Sequence, residues 1–68
     1  MEILKINGKE RQFGQVPSTV TKLLAALDIN EATVVAEING QIVERTKFAA
    51  TQLCSGQSIE LVRFVGGG

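Results

Sequence analysis

The sequence predicts an α+β domain in which a small mixed β-sheet packs against one main helix. Three features predict it: two Asn-Gly dipeptides between strand-like segments, one segment with helical apolar spacing, and a strand-like final segment. The 68 residues carry no net formal charge and are 44% hydrophobic, which is typical of one small globular domain. A chain of this size buries only about 60% of its unfolded surface, so a deep private active-site cleft is not expected.

The first element is a β-hairpin. Residues 1–7 are strand-like, Asn7-Gly8 has the composition of a type I′ turn, and residues 9–14 form a more polar return strand. The charged sequence of that return strand is typical of a sheet edge.

The second element is a helix that follows Pro17. Its apolar residues recur at helical spacing and form one stripe, which predicts about three turns. These residues are Val20, Leu23, Leu24 and Leu27, and residues 28–33 are expected to form the exit loop. Ser18 or Thr19 is expected to cap the helix by accepting a hydrogen bond from a first-turn N–H.

The remaining elements are a second hairpin, a connecting segment and a last strand. Residues 34–39 and 41–45 flank the Asn39-Gly40 turn, and residues 58–65 form the strand. The string ING occurs at both turns, which we interpret as shared turn chemistry and not as a duplication. Residues 46–56 predict an irregular or one-turn helical segment that folds its apolar residues under the sheet. Those residues are Phe48, Ala49, Ala50 and Leu53.

The first and last strands carry apolar residues at both odd and even positions, which favours the middle of the sheet. This arrangement is that of a β-grasp (ubiquitin-like) domain. Its single helix covers one face, so Val62 and Phe64 are expected to project from the other face as a docking patch. The alternative is that both side chains are buried against residues 46–56.

The composition disfavours several functions. Basic residues are scattered, which disfavours nucleic acid, and no apolar run reaches the length of a membrane span, so a cytoplasmic location is expected. Histidine is absent and Cys54 is the only cysteine, so we expect no metal site, and a [2Fe–2S] cluster is excluded. Cys54 itself is interpreted as a small, partly buried hydrophobic residue.

The sequence ends in Gly66, Gly67 and Gly68, which we assign to a flexible tail, residues 66–68, after a domain of residues 1–65. Three extended residues span about 10 Å, and glycine has no side chain to block a narrow channel. The tail is suited to carry its carboxylate into the active site of another protein, where attack on the α-phosphate of ATP would activate it. The alternative is a frayed terminus or a cloning remnant.

Residues 34–68, VVAEINGQIVERTKFAATQLCSGQSIELVRFVGGG, resemble the C-terminal half of the ThiS family of sulfur carriers. That family shows V-A-x-N-x-x-(I/V)-V-P-R, an aromatic residue, G-D-x-(I/L)-E and a terminal Gly-Gly. STVTKLLAAL resembles the T-V-x-x-L-L helix of the family, so the resemblance covers essentially the whole chain. Glu44, Phe48 and Gln57 depart from the usual proline, tryptophan and aspartate.

The resemblance implies a protein co-substrate and not an enzyme. A ThiF-type adenylyltransferase would use ATP and Mg to adenylate the Gly68 carboxylate, and a cysteine desulfurase or related donor would convert it to a thiocarboxylate. Thiazole synthase would then take the sulfur for thiamine. Gly66 and Gly67 would form the tail stem, and Val62, Phe64 and Val65 would contact partners. The chain itself would bind no cofactor and would be a monomer when free.

Two alternatives stay open. One is another sulfur carrier, either the small subunit of molybdopterin synthase or a carrier for a different sulfur metabolite. That small subunit is usually longer and has prolines before its terminal glycines, whereas Pro17 is the single proline here. The other alternative is a β-grasp binding or regulatory module in which the glycines have no chemical role.

Overall fold

The computed structural model describes residues 1–63, which form one mixed sheet, one α-helix and two 3₁₀ helices. The strands are β1 (Glu2–Ile6), β2 (Lys9–Phe13), β3 (Val34–Ile38), β4 (Gln41–Val43) and β5 (Ser58–Arg63). The helix is α1 (Val20–Ala26), and the 3₁₀ helices are Glu31–Thr33 and Arg45–Lys47. The strand order is β2-β1-β5-β3-β4, in which β1 and β5 are parallel and every other pair is antiparallel. The predicted α+β architecture, with the first and last strands near the middle, is confirmed.

The core lies between α1 and one face of the sheet. Its buried residues come from α1, from alternate positions of the three inner strands, and from the loops on either side. They are Leu4, Ile6, Val16, Val20, Leu23, Leu24, Val34, Ala36, Phe48, Leu53, Ile59 and Leu61. Within residues 1–63 the opposite face of the sheet carries no helix, and we call it the open face.

The helix begins as predicted but is shorter than predicted. Thr19 is the N-cap, and its hydroxyl accepts a hydrogen bond from the Lys22 N–H at 3.2 Å. The helix has seven residues, about two turns instead of three. Asp28 has φ 59°, and the Ile29 N–H donates to the Leu24 carbonyl, which together form a Schellman motif. The helix therefore ends before residue 28, where the exit loop is expected from the sequence, although aspartate stands where glycine is usual.

The segment after β4 differs in detail from the prediction. β4 ends at Val43, and the chain then forms the single 3₁₀ turn that was expected. Phe48 and Leu53 are buried as predicted, whereas Ala49 and Ala50 are exposed, which corrects the expectation for those two residues. The carbonyls of Phe48 and Thr51 accept hydrogen bonds from the first N–H groups of α1. The segment therefore supplies acceptors for two backbone N–H groups that have no partner within the helix, and it leaves Ala49 and Ala50 exposed to solvent.

Candidate functional site: the last strand and the open sheet face

The strand that leads to the glycine tail is the central strand of the sheet. β5 is bonded to β1 on one side and to β3 on the other. Ile59 is fully buried and Leu61 is 7% exposed, so both side chains hold β5 against the core beneath α1. The central strand is therefore held on both edges and on one face up to Arg63.

Asn7 extends the contact between β1 and β5 beyond the end of β1. Its φ of 51°, followed by 82° at Gly8, turns the first hairpin as the Asn-Gly dipeptide predicts. The Asn7 side chain then binds the backbone of Leu61 twice. Its Oδ1 accepts from the Leu61 N–H at 2.7 Å, and its Nδ2 donates to the Leu61 carbonyl at 3.2 Å. The side-chain amide of Asn7 therefore makes the hydrogen bonds to β5 that the backbone of a further β1 residue would otherwise make.

Asn39 makes a similar contact at the beginning of β5. It has φ 50° in the second hairpin turn, and its backbone N–H donates to the Ser58 carbonyl at 2.8 Å. Its side-chain Oδ1 accepts from the Ser58 N–H at 3.0 Å. The two ING turns thus hold the central strand at its first residue and again two residues before Arg63.

The sequence prediction recognised Asn7 and Asn39 only as turn residues. The available signal was that asparagine, and not aspartate or glycine, occupies the first position of both turns, because an amide both donates and accepts. Asn7 binds a residue 54 positions away along the chain, and Asn39 binds a residue 19 positions away. Contacts at that separation follow from the strand order, which the spacing of apolar residues does not specify.

The open face presents an apolar patch that we define as Val35, Ile42 and Val62. Val62 lies opposite Val35 in the β3–β5 ladder and is 55% exposed, while Ile42 is 69% exposed. Val35 and Ile42 line the same shallow groove at the β3–β4 edge. The alternative in which Val62 is buried against residues 46–56 is therefore wrong for this residue. Val35 and Ile42 were not identified from the sequence.

Two glutamates lie beside this patch. Glu37 of β3 is directly opposite Glu60 of β5, on the same face as the Val35 and Val62 pair. Like charges directly opposite each other in a sheet are unfavourable. The open face therefore combines exposed apolar side chains with a local concentration of negative charge.

The other sequence-predicted site residues lie outside the described residues. They are Phe64, Val65, Gly66, Gly67 and Gly68. The predicted domain boundary at residue 65 lies outside the described residues as well.

Within residues 1–63 no group of three or more metal-ligating side chains comes together, and no helix there is long and apolar enough to cross a bilayer. Cys54 is exposed, which corrects the expectation that it is partly buried. Its backbone N–H donates to the side-chain carbonyl of Gln57 at 2.8 Å in the loop before β5. This loop holds residue 54 on the surface.

Comparisons with known proteins agree with one another. The model of the ThiS family matches residues 4–68. The sulfur carrier protein ThiS of Bacillus subtilis is 33% identical over 66 residues, which are 97% of this chain and all of that protein. A thiazole synthase of Paramagnetospirillum magneticum is 38% identical over 65 residues, which are 96% of this chain and 20% of that protein. The crystal structure of a thiamine biosynthesis protein (ThiS) from Geobacter metallireducens has a TM-score of 0.81 and 40% identity, covering 97% of this chain and 99% of that one.

Proposed function

The chain belongs to the ThiS family, and we propose that its reactive group is the C-terminal carboxylate of Gly68. It is a sulfur carrier of thiamine biosynthesis, a protein that partner enzymes modify, and not itself a catalyst. The observation that carries the proposal is the family match, which extends to residue 68 and so includes all three terminal glycines.

The carboxylate needs activation because it is a poor electrophile. Its oxygen attacks the α-phosphorus of ATP, pyrophosphate leaves, and an acyl-adenylate forms. Hydrosulfide that attacks the acyl carbon displaces AMP and gives the thiocarboxylate directly. A persulfide from a cysteine desulfurase displaces AMP to give an acyl disulfide, and a second thiol then reduces its S–S bond, becomes part of a new disulfide and releases the thiocarboxylate. ATP and Mg belong to the adenylyltransferase in this scheme, and the carrier contributes only the acyl group.

The geometry of β5 supports this use of the tail. The strand is fixed by Ile59 and Leu61 in the core and by the two asparagine turns, so the tail leaves the domain from a rigid base. Gly66, Gly67 and Gly68 add about 10 Å of chain without side chains. A rigid base limits the entropy lost when a partner binds the tail.

The partners follow from this chemistry. A thiazole synthase partner is supported by the relative of that name, one fifth of which resembles this chain. We further propose a ThiF-type adenylyltransferase and a cysteine desulfurase or related sulfur donor, and a cytoplasmic location where ATP is available. The apolar patch is the proposed docking surface for the adenylyltransferase, and Phe64 and Val65 are proposed as further contacts from the sequence alone.

The matched family and relatives favour the thiamine branch over the molybdopterin alternative, since each of them is named for thiamine or thiazole synthesis or for ThiS. They also favour a carrier over a binding module. Deletion of Gly67 and Gly68 separates these two classes directly. A carrier loses sulfur transfer and keeps its fold, whereas a binding module keeps its partner.

The test of the reactive group is intact-mass analysis after incubation with the adenylyltransferase, MgATP and a sulfur source. We expect a mass gain equal to the replacement of one oxygen by sulfur, located in the C-terminal peptide. The chain that lacks Gly67 and Gly68 is the control and should show no gain. No mass change in the intact chain, under conditions that modify the Bacillus subtilis carrier, would disprove the proposal.

The test of the docking surface is Val62→Asp. This side chain is 55% exposed, so the charge should leave the fold intact and weaken binding to the adenylyltransferase about tenfold or more, because it enters an apolar contact. Gln12→Asp, an exposed position on the β2 edge of the same sheet face, is the matched control. Equal affinities of the two variants would place the interface elsewhere.

A further inference from the structure

A cleft opens on the helix side of the sheet, at the end of the fold where β5 finishes. Its floor is formed by Ile6 and Leu61, which belong to the buried core, and its wall by the half-buried Leu27 and Ile29 just after α1. The volume is about 580 Å³. Arg63, the last described residue before the tail, lines the same cleft. Any enzyme that receives the tail must approach this end of the domain.

The rim of the cleft is basic. Lys9 and Arg11 are exposed on the edge strand β2, and Arg63 is exposed at the end of β5. Lys9 is opposite Ile6, and Arg63 is opposite Val34, so strand alternation directs these side chains toward the helix side of the sheet. Three cations thus surround one apolar floor.

One acidic residue, Glu10, also lines the cleft. It lies between the two basic residues of β2, but it is opposite Lys5, and alternation directs its side chain toward the open face. Asp28 lies between the two wall residues in sequence yet does not line the cleft. A chain with no net formal charge therefore concentrates positive charge at the cleft and has its opposed glutamates, Glu37 and Glu60, on the open face.

We propose that this basic cleft docks an acidic segment of thiazole synthase, with one apolar side chain on the floor and carboxylates against Lys9, Arg11 and Arg63. The inference rests on the proposed function, because transfer of the tail is what brings the synthase to this end. Complementary charge at an interface rim speeds association and sets orientation. A sulfur carrier must bind the synthase, transfer its sulfur and dissociate again, so contacts that speed association and set orientation suit this cycle.

The synthase is the partner we assign because a relative with that name includes a segment resembling nearly this whole chain. In such a protein the carrier-like segment is covalently joined to the rest. A separate carrier has no such link, so surface contacts must supply the local concentration and the orientation.

The test measures the affinity of the full-length carrier for the thiazole synthase of the same organism, at low and at physiological salt. The double variant Lys9→Glu with Arg11→Glu should bind about tenfold more weakly at low salt and lose most of the salt dependence. Lys9→Gln with Arg11→Gln should show a smaller loss, and it serves as the test if the reversed variant does not fold. Arg45→Glu with Lys47→Glu, on the 3₁₀ turn outside the cleft, is the matched control and should change affinity less than twofold.

The inference is overturned if the cleft variants bind the synthase like the wild type, if the control pair weakens binding equally, or if binding weakens only toward the adenylyltransferase. Weaker binding to both enzymes supports it, since the synthase is one of them. Intact-mass analysis of the wild type tests the proposed function separately. A wild type that gains sulfur, together with cleft variants of unchanged affinity, would reject the cleft and retain the carrier.

Discussion

The replacement Asn7→Gly should destabilise the domain more than the same replacement at Asn39. Glycine keeps the positive φ of both turns, so neither variant strains the backbone. Asn7→Gly removes two hydrogen bonds to the part-buried backbone of Leu61, at 2.7 and 3.2 Å. Asn39→Gly removes one exposed bond, from the Ser58 N–H at 3.0 Å.

The expected magnitudes follow from these contacts. A hydrogen bond contributes about 0.5–1.5 kcal/mol to the free energy of unfolding, so the loss at Asn7 is about 1–3 kcal/mol and the loss at Asn39 about half of that. The entropic cost of a new glycine in the unfolded chain is similar in the two variants and cancels in their difference. At about 4–8 °C per kcal/mol for a domain of this size, a loss of about 2 kcal/mol, the middle of the range for Asn7→Gly, should lower Tm by roughly 8–16 °C.

The assay is thermal unfolding by circular dichroism, together with hydrogen exchange of the Leu61 amide. Exchange at Leu61 should accelerate in Asn7→Gly and stay near the wild-type rate in Asn39→Gly, because only the first variant removes its acceptor. Equal losses of stability in the two variants, or an unchanged Leu61 exchange rate, would show that the Asn7 amide does not hold β5.

Three further predictions concern stability. Thr19→Ala should cost about 1 kcal/mol, measured by urea unfolding, because it removes the hydroxyl that caps α1, whereas Ser18→Ala should cost little because Ser18 contributes a backbone carbonyl. Phe48→Ala should cost about 3–5 kcal/mol, since its side chain is only 1% exposed, and a cost below 1 kcal/mol would contradict its place in the core. Glu60→Lys should raise Tm by a few degrees by relieving repulsion from Glu37, and the gain should shrink as salt is added; a lower Tm would contradict this.

The sequence was sufficient for the fold because local signals agreed with the global pattern. Asn7-Gly8 and Asn39-Gly40 set both hairpins, and the spacing from Val20 located the helix. The alternation of Ile59 and Leu61 against Val62 indicated which face each side chain of β5 would take.

The parts that the sequence did not predict depend on long-range pairing. Arg63 is far from Lys9 and Arg11 in the sequence, and it lines the same cleft only because β5 inserts between β1 and β3. The length of α1 was overestimated because the apolar stripe continues to Leu27, which is the C-cap and not a residue of the helix. Ala49 and Ala50 were placed in the core by hydrophobicity alone, although alanine loses little by exposure.

The position of β5 has a consequence for how the domain assembles. Each hairpin is local in sequence, but β5 follows both and joins them, and its contact with Asn7 spans 54 residues. Neither hairpin alone buries a complete face, so the sheet closes only when the last strand inserts, and the folding rate should be set by that long-range step. A chain truncated within β5 would lack the strand that unites the halves and would be exposed to proteolysis. Surviving molecules would therefore be those whose β5 is intact, the strand from which the tail extends.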